Sequence, residues 1–439
     1  MGSVRTGSIA LVIALMLVAC PSAASADIFA FTETAPGAPR TDTDLALIDA
    51  STGVFDSLPA GINTTAASEF HPSVTADGNR VVFQRHDFAA GTTRIILADL
   101  TTGQTADLFN GFEAVTYAPT SPAITPDGTK VLTGGPFDLP PVTDVTAFPT
   151  GPYPHTTPFK DVDQLVDPVI TGTAPNSLLA FRRNTPESQP PATVGSIILK
   201  EFGQGAALPT IADPNVHYAH PAIGTPAGVP TVLFDQHPVS SSGDILQGSI
   251  GFCSLNSSLS RCTFGVLPPI VNSSLNETRP AFTPDSRYVG FIRDETNGHE
   301  RLFVWDSQTQ TLINDGIDLG PLLTPDSGNL SLFVRPVFSF TSLSIGSASF
   351  SLLQPSSVGI MVQRVVGHHK LFGRTVPTLK FVGRIPLGTF RAGRRHVHWR
   401  LRVNGKRLRP GTYQLTVRAL TKTRSVRDMG KPRMIRVRR

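Results

Sequence analysis

The chain has 439 residues, 40% hydrophobic and 16% charged, with 38 glycines, 38 prolines and a mean hydropathy of +0.02. It is too long for one ordinary domain and too apolar for a disordered chain, so more than one packed unit is expected. The net charge of +5 conceals two opposed parts: from Val334 to Arg439 there are 23 Lys and Arg against one acidic residue, Asp428, which leaves 15 (38 less 23) against 32 upstream.

At the N-terminus, Arg5 precedes an apolar run from Ile9 to Ala19 and small residues ending Ala24-Ser25-Ala26. This order predicts a secretory signal peptide over residues 1–26, because the apolar run is about half the ~20 residues that span a bilayer. Cleavage after Ala26 would leave a soluble chain. Leu17-Val18-Ala19-Cys20 is the competing signal, a lipobox in which Cys20 would be lipidated and become the first mature residue. Either way the protein is expected in the cell envelope or outside the cell, without a transmembrane span.

A repeat follows. His71-Pro72-Ser73-Val74-Thr75-Ala76-Asp77-Gly78 returns as Ser121-Pro122-Ala123-Ile124-Thr125-Pro126-Asp127-Gly128 and as Arg279-Pro280-Ala281-Phe282-Thr283-Pro284-Asp285-Ser286. Degenerate copies begin at Asp167-Pro168 and His220-Pro221, so the five prolines are 50, 46, 53 and 59 residues apart. Each copy predicts a short strand, a tight Asp-Gly or Asp-Ser turn and an apolar strand. Segments such as Arg94–Asp99 and Arg301–Asp306 add a third strand and a turn into a fourth, and four strands per unit of about 50 residues make a propeller blade. The pattern resembles the TolB-like, or WD40-like, β-propeller repeats of bacterial envelope proteins, marked by Pro-x-x-x-Pro-Asp-Gly before an aliphatic-Phe strand. The resemblance covers about 300 residues and implies an all-β, six-bladed propeller over 27–333. The sixth blade would close through Ile28–Phe31 and Asp44–Asp49, with Leu322-Leu323-Thr324-Pro325-Asp326-Ser327 as its innermost strand.

Within the repeat region, Cys253 and Cys262 flank a Ser- and Asn-rich hairpin tip, and an oxidising compartment permits a disulfide between them. Two buried free thiols are the alternative. Beyond Val334 the turn motif stops. In Val397-His398-Trp399-Arg400-Leu401-Arg402-Val403 apolar and basic residues alternate, predicting a strand with its charge on one face. Asn404-Gly405 and Pro410-Gly411 predict turns, and Tyr413, Leu415, Val417 and Ala419 a second inward face. Trp399 to Leu420 resembles the C-terminal Ig-like modules of secreted bacterial proteins, implying a basic Ig-like β-sandwich over 334–439.

Catalytic motifs are missing from the chain. It has no Gly-x-Ser-x-Gly elbow, P-loop or dinucleotide fingerprint, so serine hydrolysis and nucleotide chemistry are not expected, and no cofactor is called for. His396 and His398 share a strand face, with His368-His369 elsewhere, but the surrounding arginines oppose a metal ion and none is assigned. The turn carboxylates Asp77, Asp127, Asp285 and Asp326 are read as turn formers. The residues before the five prolines, His71, Ser121, Asp167, His220 and Arg279, are expected to start the innermost strands and ring one channel mouth. That ring is a candidate ligand or peptide site. The exposed basic residues Arg394, Arg400, Arg402, Lys406, Arg407 and Arg409 are candidates for holding an anionic wall polymer or lipid, with docking on the acidic propeller as the alternative. The expected function is that of a monomeric, non-catalytic exported scaffold for a protein partner. A hydrolase or lyase at the propeller mouth is the second reading, and nucleic acid is not an expected partner.

Overall fold

The computed structural model describes residues 26–34, 43–87, 89–109, 120–134, 142–156, 164–171, 177–184, 195–201, 208–321, 330–420 and 426–438. The leader, Cys20 and the Leu322–Ser327 segment lie outside them. Strand dominates throughout, and among the described residues no helix is long and apolar enough to cross a membrane.

The repeat fixes the first part of the chain as a series of antiparallel sheets, each beginning at one copy of the motif. In chain order from the first copy they are Ala67–Val74 to Thr105–Asp107, Thr120–Ile124 to His155–Thr156, Gln164–Thr171 to Ser196–Glu201, Val216–Gly224 to Cys262–Val266, and Asn276–Phe282 to Thr311–Leu312. A further sheet joins the two ends of this part. There Ser331–Pro336 pairs with Ala26–Thr34, with Ile28 opposite Val334, and Asp44–Asp49 and Val54–Asp56 follow outward. The innermost strand of this closing sheet is therefore Ser331–Pro336, and the Leu322–Ser327 segment expected in that place lies outside the described residues. The reason is apolar: Leu332 and Phe333 are buried, and Phe333 stacks on Phe29 at 5.2 Å. Phe333 and Val334, where the charge changes sign, are both inside this strand.

Among the described residues, six apolar cores alternate with six such sheets and close a ring. One joins Val82 and Leu97 to Val131, the next joins Leu132 to Leu179 and Phe181, and the last joins Tyr288 and Leu302 to Ile48 and Leu332. Each sheet is thus covered on both faces, which is why middle strands such as Val81-Val82-Phe83 are apolar without alternation. This is a β-propeller. The Asp-Gly turns behave as read: Thr75, Thr125 and Thr283 each donate a hydroxyl to the following Asp77, Asp127 or Asp285 at 2.6 Å. Asp326 lies outside the described residues.

The basic part forms two sheets around a core of its own. Phe338–Ser344, Ser347–Leu352 and Gly393–His398 face Ser356–Leu371, Arg374–Phe390, Gly411–Leu420, Val426–Met429 and Arg433–Val437. Phe338, Phe350, Ile360, Trp399, Tyr413 and Val417 fill the space between them. The alternation read over Val397–Val403 holds for burial but not as one strand. The ladder stops at His398, and a short hairpin of Arg402–Val403 and Lys406–Arg407 resumes around Asn404 and Gly405, both at positive φ. The chain turns there because Arg402 N–H bonds the Arg400 carbonyl at 2.7 Å.

Candidate functional site

Each innermost strand passes through its motif with a β-bulge. The ladder register shifts between Phe70 and Ser73, Thr120 and Ala123, Val166 and Val169, Ala219 and Ala222, and Thr278 and Ala281. The residue before each proline, His71, Ser121, Asp167, His220 or Arg279, has φ between 42° and 53°. A left-handed non-glycine residue costs about 1 kcal/mol or more, so five equivalent ones are a built feature. The proline tolerates the bulge because its residue drops out of the ladder and its missing N–H is not needed.

These residues therefore do not start the strands, as the sequence suggested; they lie within them, and they form a belt across the channel of which His71 is half-buried and the other four are buried. Ser121, Asp167, His220 and Arg279 are each under 5% exposed. Ser121 Oγ donates to Asp167 Oδ1 at 3.2 Å, and Arg182 Nε approaches Asp167 Oδ2 at 2.8 Å. Burial pushes the Asp167 carboxyl up, but Arg182, His220, His71 and the Ser121 hydroxyl together hold it below the ordinary carboxylate value. Arg279 forms a two-pronged pair with Glu300 at 2.7 and 3.1 Å. His220 Nδ1 and His237 Nε2 meet Asp235 Oδ2 at 2.8 and 3.4 Å. Burial disfavours the Asp235 anion, yet the two imidazoles keep it well below the usual range. The same pairing, with the Leu246 carbonyl, raises His237 above an ordinary imidazole against its own burial.

Arg182, Asp235, His237 and Glu300 were not anticipated. They lie on second and third strands, where no motif marks them. The one signal is register: Arg182 and Asp235 are directly opposite Val166 and Ala219, the residues just before the bulge. Gln84 holds the same place opposite Phe70 and accepts from Ser121 N–H at 3.0 Å.

On one side of the belt the channel holds a cavity of about 130 Å³, collared by Pro72, Pro122, Pro168, Pro221 and Pro280 with His220 and Arg279 at its polar end. His220 Nε2 has no hydrogen-bond partner. Small-molecule sites run to about 300–1,000 Å³, so this cavity admits a side chain or a chain end and little more. Among the described residues no group of three His, Cys, Asp or Glu is placed to hold a metal ion.

The second candidate surface is on the basic unit. Arg394, Arg400, Arg402, Lys406, Arg407 and Arg409 are all exposed, and none is in an ion pair among the described residues. The unit does dock on the propeller, but through other groups. Leu371 and Phe372, at the tip of the long hairpin, join the core between the last two sheets, and Met361 and Met429 join the core behind the closing sheet. Gln363 and Gln414 donate to the Thr309 and Gln308 carbonyls at 2.7 and 2.9 Å. Among the cysteines, Cys253 and Cys262 are disulfide-bonded across the Ser249–Leu255 and Cys262–Val266 hairpin, with Cα atoms 5.4 Å apart.

The ring of sheets with its central belt defines an all-β protein of the β-propeller class. No protein-family model matches the chain, and no curated protein matches it. Among solved structures, TolB from Acinetobacter baumannii is 16% identical, with a TM-score of 0.46 over 70% of this chain and 66% of that one. Hydrazine synthase from Kuenenia stuttgartiensis is 11% identical, with a TM-score of 0.49 over 94% and 68%. The β-propeller domain of the trilobed protease from Pyrococcus furiosus is 12% identical, with a TM-score of 0.37 over 74% and 88%. This chain spans just under two thirds of that TolB's own length. Structural neighbours thus include TolB-like β-propeller proteins, a likeness of fold alone.

Proposed function

We propose that this chain is an exported, non-catalytic scaffold. In this reading each of the six sheets is a blade, and the proline-collared cavity takes a side chain or chain end of a protein partner. The basic unit, an Ig-like sandwich, holds anionic wall polymer or lipid. The observation that carries the reading is the pairing within the belt. Asp167 and Glu300 are each ion-paired with an Arg at 2.7–2.8 Å, Asp235 is hydrogen-bonded to His220 at 2.8 Å, and the space left beside them is too small for a polymer's reacting bond. The Tyr413 hydroxyl bond back to the Arg409 carbonyl at 2.8 Å supports the Ig-like assignment, since such sandwiches fix a corner this way. Six exposed unpaired cations repel one another, and an anionic partner would offset that repulsion.

The test uses the full chain with vesicles containing phosphatidylglycerol. Binding should fall steeply as salt rises to physiological strength, and reversing Arg400, Arg402 and Arg407 to Glu should abolish it; binding that ignores the triple reversal refutes the assignment. N-terminal analysis of the exported protein distinguishes cleavage after Ala26 from a lipidated Cys20. A second reading, hydrolase or lyase chemistry at the cavity, rests on His220, whose Nδ1 is held by Asp235 while Nε2 is unpartnered. Turnover of polysaccharide or ester substrates that is lost in His220→Ala would favour it over the scaffold.

A further inference from the structure

The sheet that docks on the propeller carries a groove of about 690 Å³ along its outward face. Its floor follows from the cross-strand rows. Gly359 stands between Pro386 and Arg418, and in the next row Met361 stands between Arg384 and Thr416. With no side chain at Gly359, a trough opens beside Arg418; apolar walls come from Met361, Phe381 and Leu420. Arg418 is 5% exposed and lines this groove. Among the described residues its polar contact is a weak one, Nη1 to the Met361 sulfur at 3.5 Å, and its Nε has no hydrogen-bond partner. Three guanidinium groups, Arg287, Arg384 and Arg418, share this corner with Asp306 and Asp285; Arg287 takes Asp306 at 2.9 Å and its backbone N–H bonds Asp285 at 3.2 Å, and among the described residues neither carboxylate forms an ion pair with Arg418. Burial, and then Arg384, lower the Arg418 pKa to about 10, which leaves it charged at neutral pH. A buried cation without an ion pair of its own is costly unless something anionic meets it.

We propose that this groove is a binding site for an oxyanion carried on an apolar body, a carboxylate or phosphate headed molecule whose anionic group is met by Arg418 and, at the rim, by Arg384. The volume is within the range of small-molecule sites, and the mixture of apolar walls with a few convergent cations is what such a ligand requires. Asn404, from the hairpin that carries Arg402 and Lys406, also lines the groove, but none of the exposed cations Arg394, Arg400, Arg402, Lys406, Arg407 and Arg409 does, so the site does not depend on that face binding anything.

Calorimetry on the full chain tests it with octyl phosphate, octanol and inorganic phosphate. Octyl phosphate should bind once per chain, inorganic phosphate at least tenfold more weakly, and octanol not measurably. Arg418→Met should lose tenfold or more for octyl phosphate while raising the melting temperature of the ligand-free protein; a purely structural arginine would lower it. The triple reversal on the exposed face should leave octyl phosphate binding intact, so this site and the polymer-binding face fail separately. Octyl phosphate binding that is unchanged in Arg418→Met, or matched by octanol, overturns the proposal. Should Arg418→Met not fold, the exposed Arg384→Glu decides: unchanged affinity overturns the site, and a fivefold or greater loss upholds it. Phosphatidylglycerol vesicles distinguish the source. If their binding falls with Arg418→Met, the ligand is a membrane headgroup, and if only octyl phosphate binding falls, it is a free molecule; both results uphold the site.

Discussion

Replacing Phe372 with Ala should loosen the basic unit from the propeller without unfolding either. Phe372 is 3% exposed at the hairpin tip and makes edge contacts with Phe252, Phe282 and Trp305 at ring distances of 5.2, 6.2 and 6.5 Å. Truncating a phenylalanine so enclosed costs about 3–5 kcal/mol in a core. Leu371 and the hydrogen bonds of Gln310, Gln363 and Gln414 remain on the other contacts, so the loss should fall on the tip first. Amide exchange of the hairpin strands near residues 366–376 should therefore accelerate by two to three orders of magnitude while the core strand Gly411–Leu420 stays protected. Buried Trp305 should shift its emission towards the red, and Trp399, inside the sandwich core, should not. Exchange at the tip within tenfold of wild type would refute the claim that this contact holds the two units together.

Other perturbations separate the remaining terms. Arg279→Met should destabilise by about 3–5 kcal/mol because the buried Glu300 loses its two-pronged cation; adding Glu300→Gln should recover most of that in denaturant melts, and a double variant as weak as the single would contradict the pairing argument. Reduction of Cys253–Cys262, or its replacement by Ser, should cost about 3 kcal/mol or less, since the closed loop spans only 9 residues of separation. For His237, whose pKa is raised in the folded state, the stabilisation is complete below the unfolded value near about pH 6.5 and is lost as pH rises through the folded value. The stability gap between wild type and His237→Gln should accordingly narrow from about pH 5.5 to pH 8.5, and a widening gap would reverse the sign argued here.

The propeller was legible in the sequence because its marks are local. Pro72, Pro122 and Pro280 with Asp-Gly or Asp-Ser turns are covalent and steric signals that read the same in any tertiary setting. The sheet ends were legible too, except that Leu322–Ser327 competed with Ser331–Pro336 for the closing position. Ser331–Pro336 carries no turn motif to mark it, and what holds it in the closing sheet includes the stacking of Phe333 on Phe29, a contact 304 residues away in sequence terms and invisible to local pattern. Gly78 belongs to the same contact. Its φ is +70°, and a Cβ there would meet the Phe333 ring at 2.2 Å, so the first motif's turn glycine serves the closing strand as well as its own turn.

The candidate site was half legible, for a reason that lies in the bulge. A proline inside a strand ordinarily marks an edge or an end, so placing His71, Ser121, Asp167, His220 and Arg279 at strand starts was the sound expectation. The bulge removes the proline from the ladder, and the strand continues through it, with the preceding side chain carried into the channel at positive φ. Burial then demands a polar partner for each of Asp167, His220 and Arg279, and the fold supplies it from whichever neighbouring strand reaches: Arg182 and Asp235 from second strands, Glu300 from a third. Those partners obey no repeat because each need differs in sign and reach. The same logic separates the two arginine populations of the basic unit. On Arg402–Val403 and Lys406–Arg407 the cations are exposed and their cost is small, so they need no partner for the fold to stand. Arg418 is buried with no ion pair among the described residues and an unpartnered Nε, and together with the groove beside it that is the argument for a ligand.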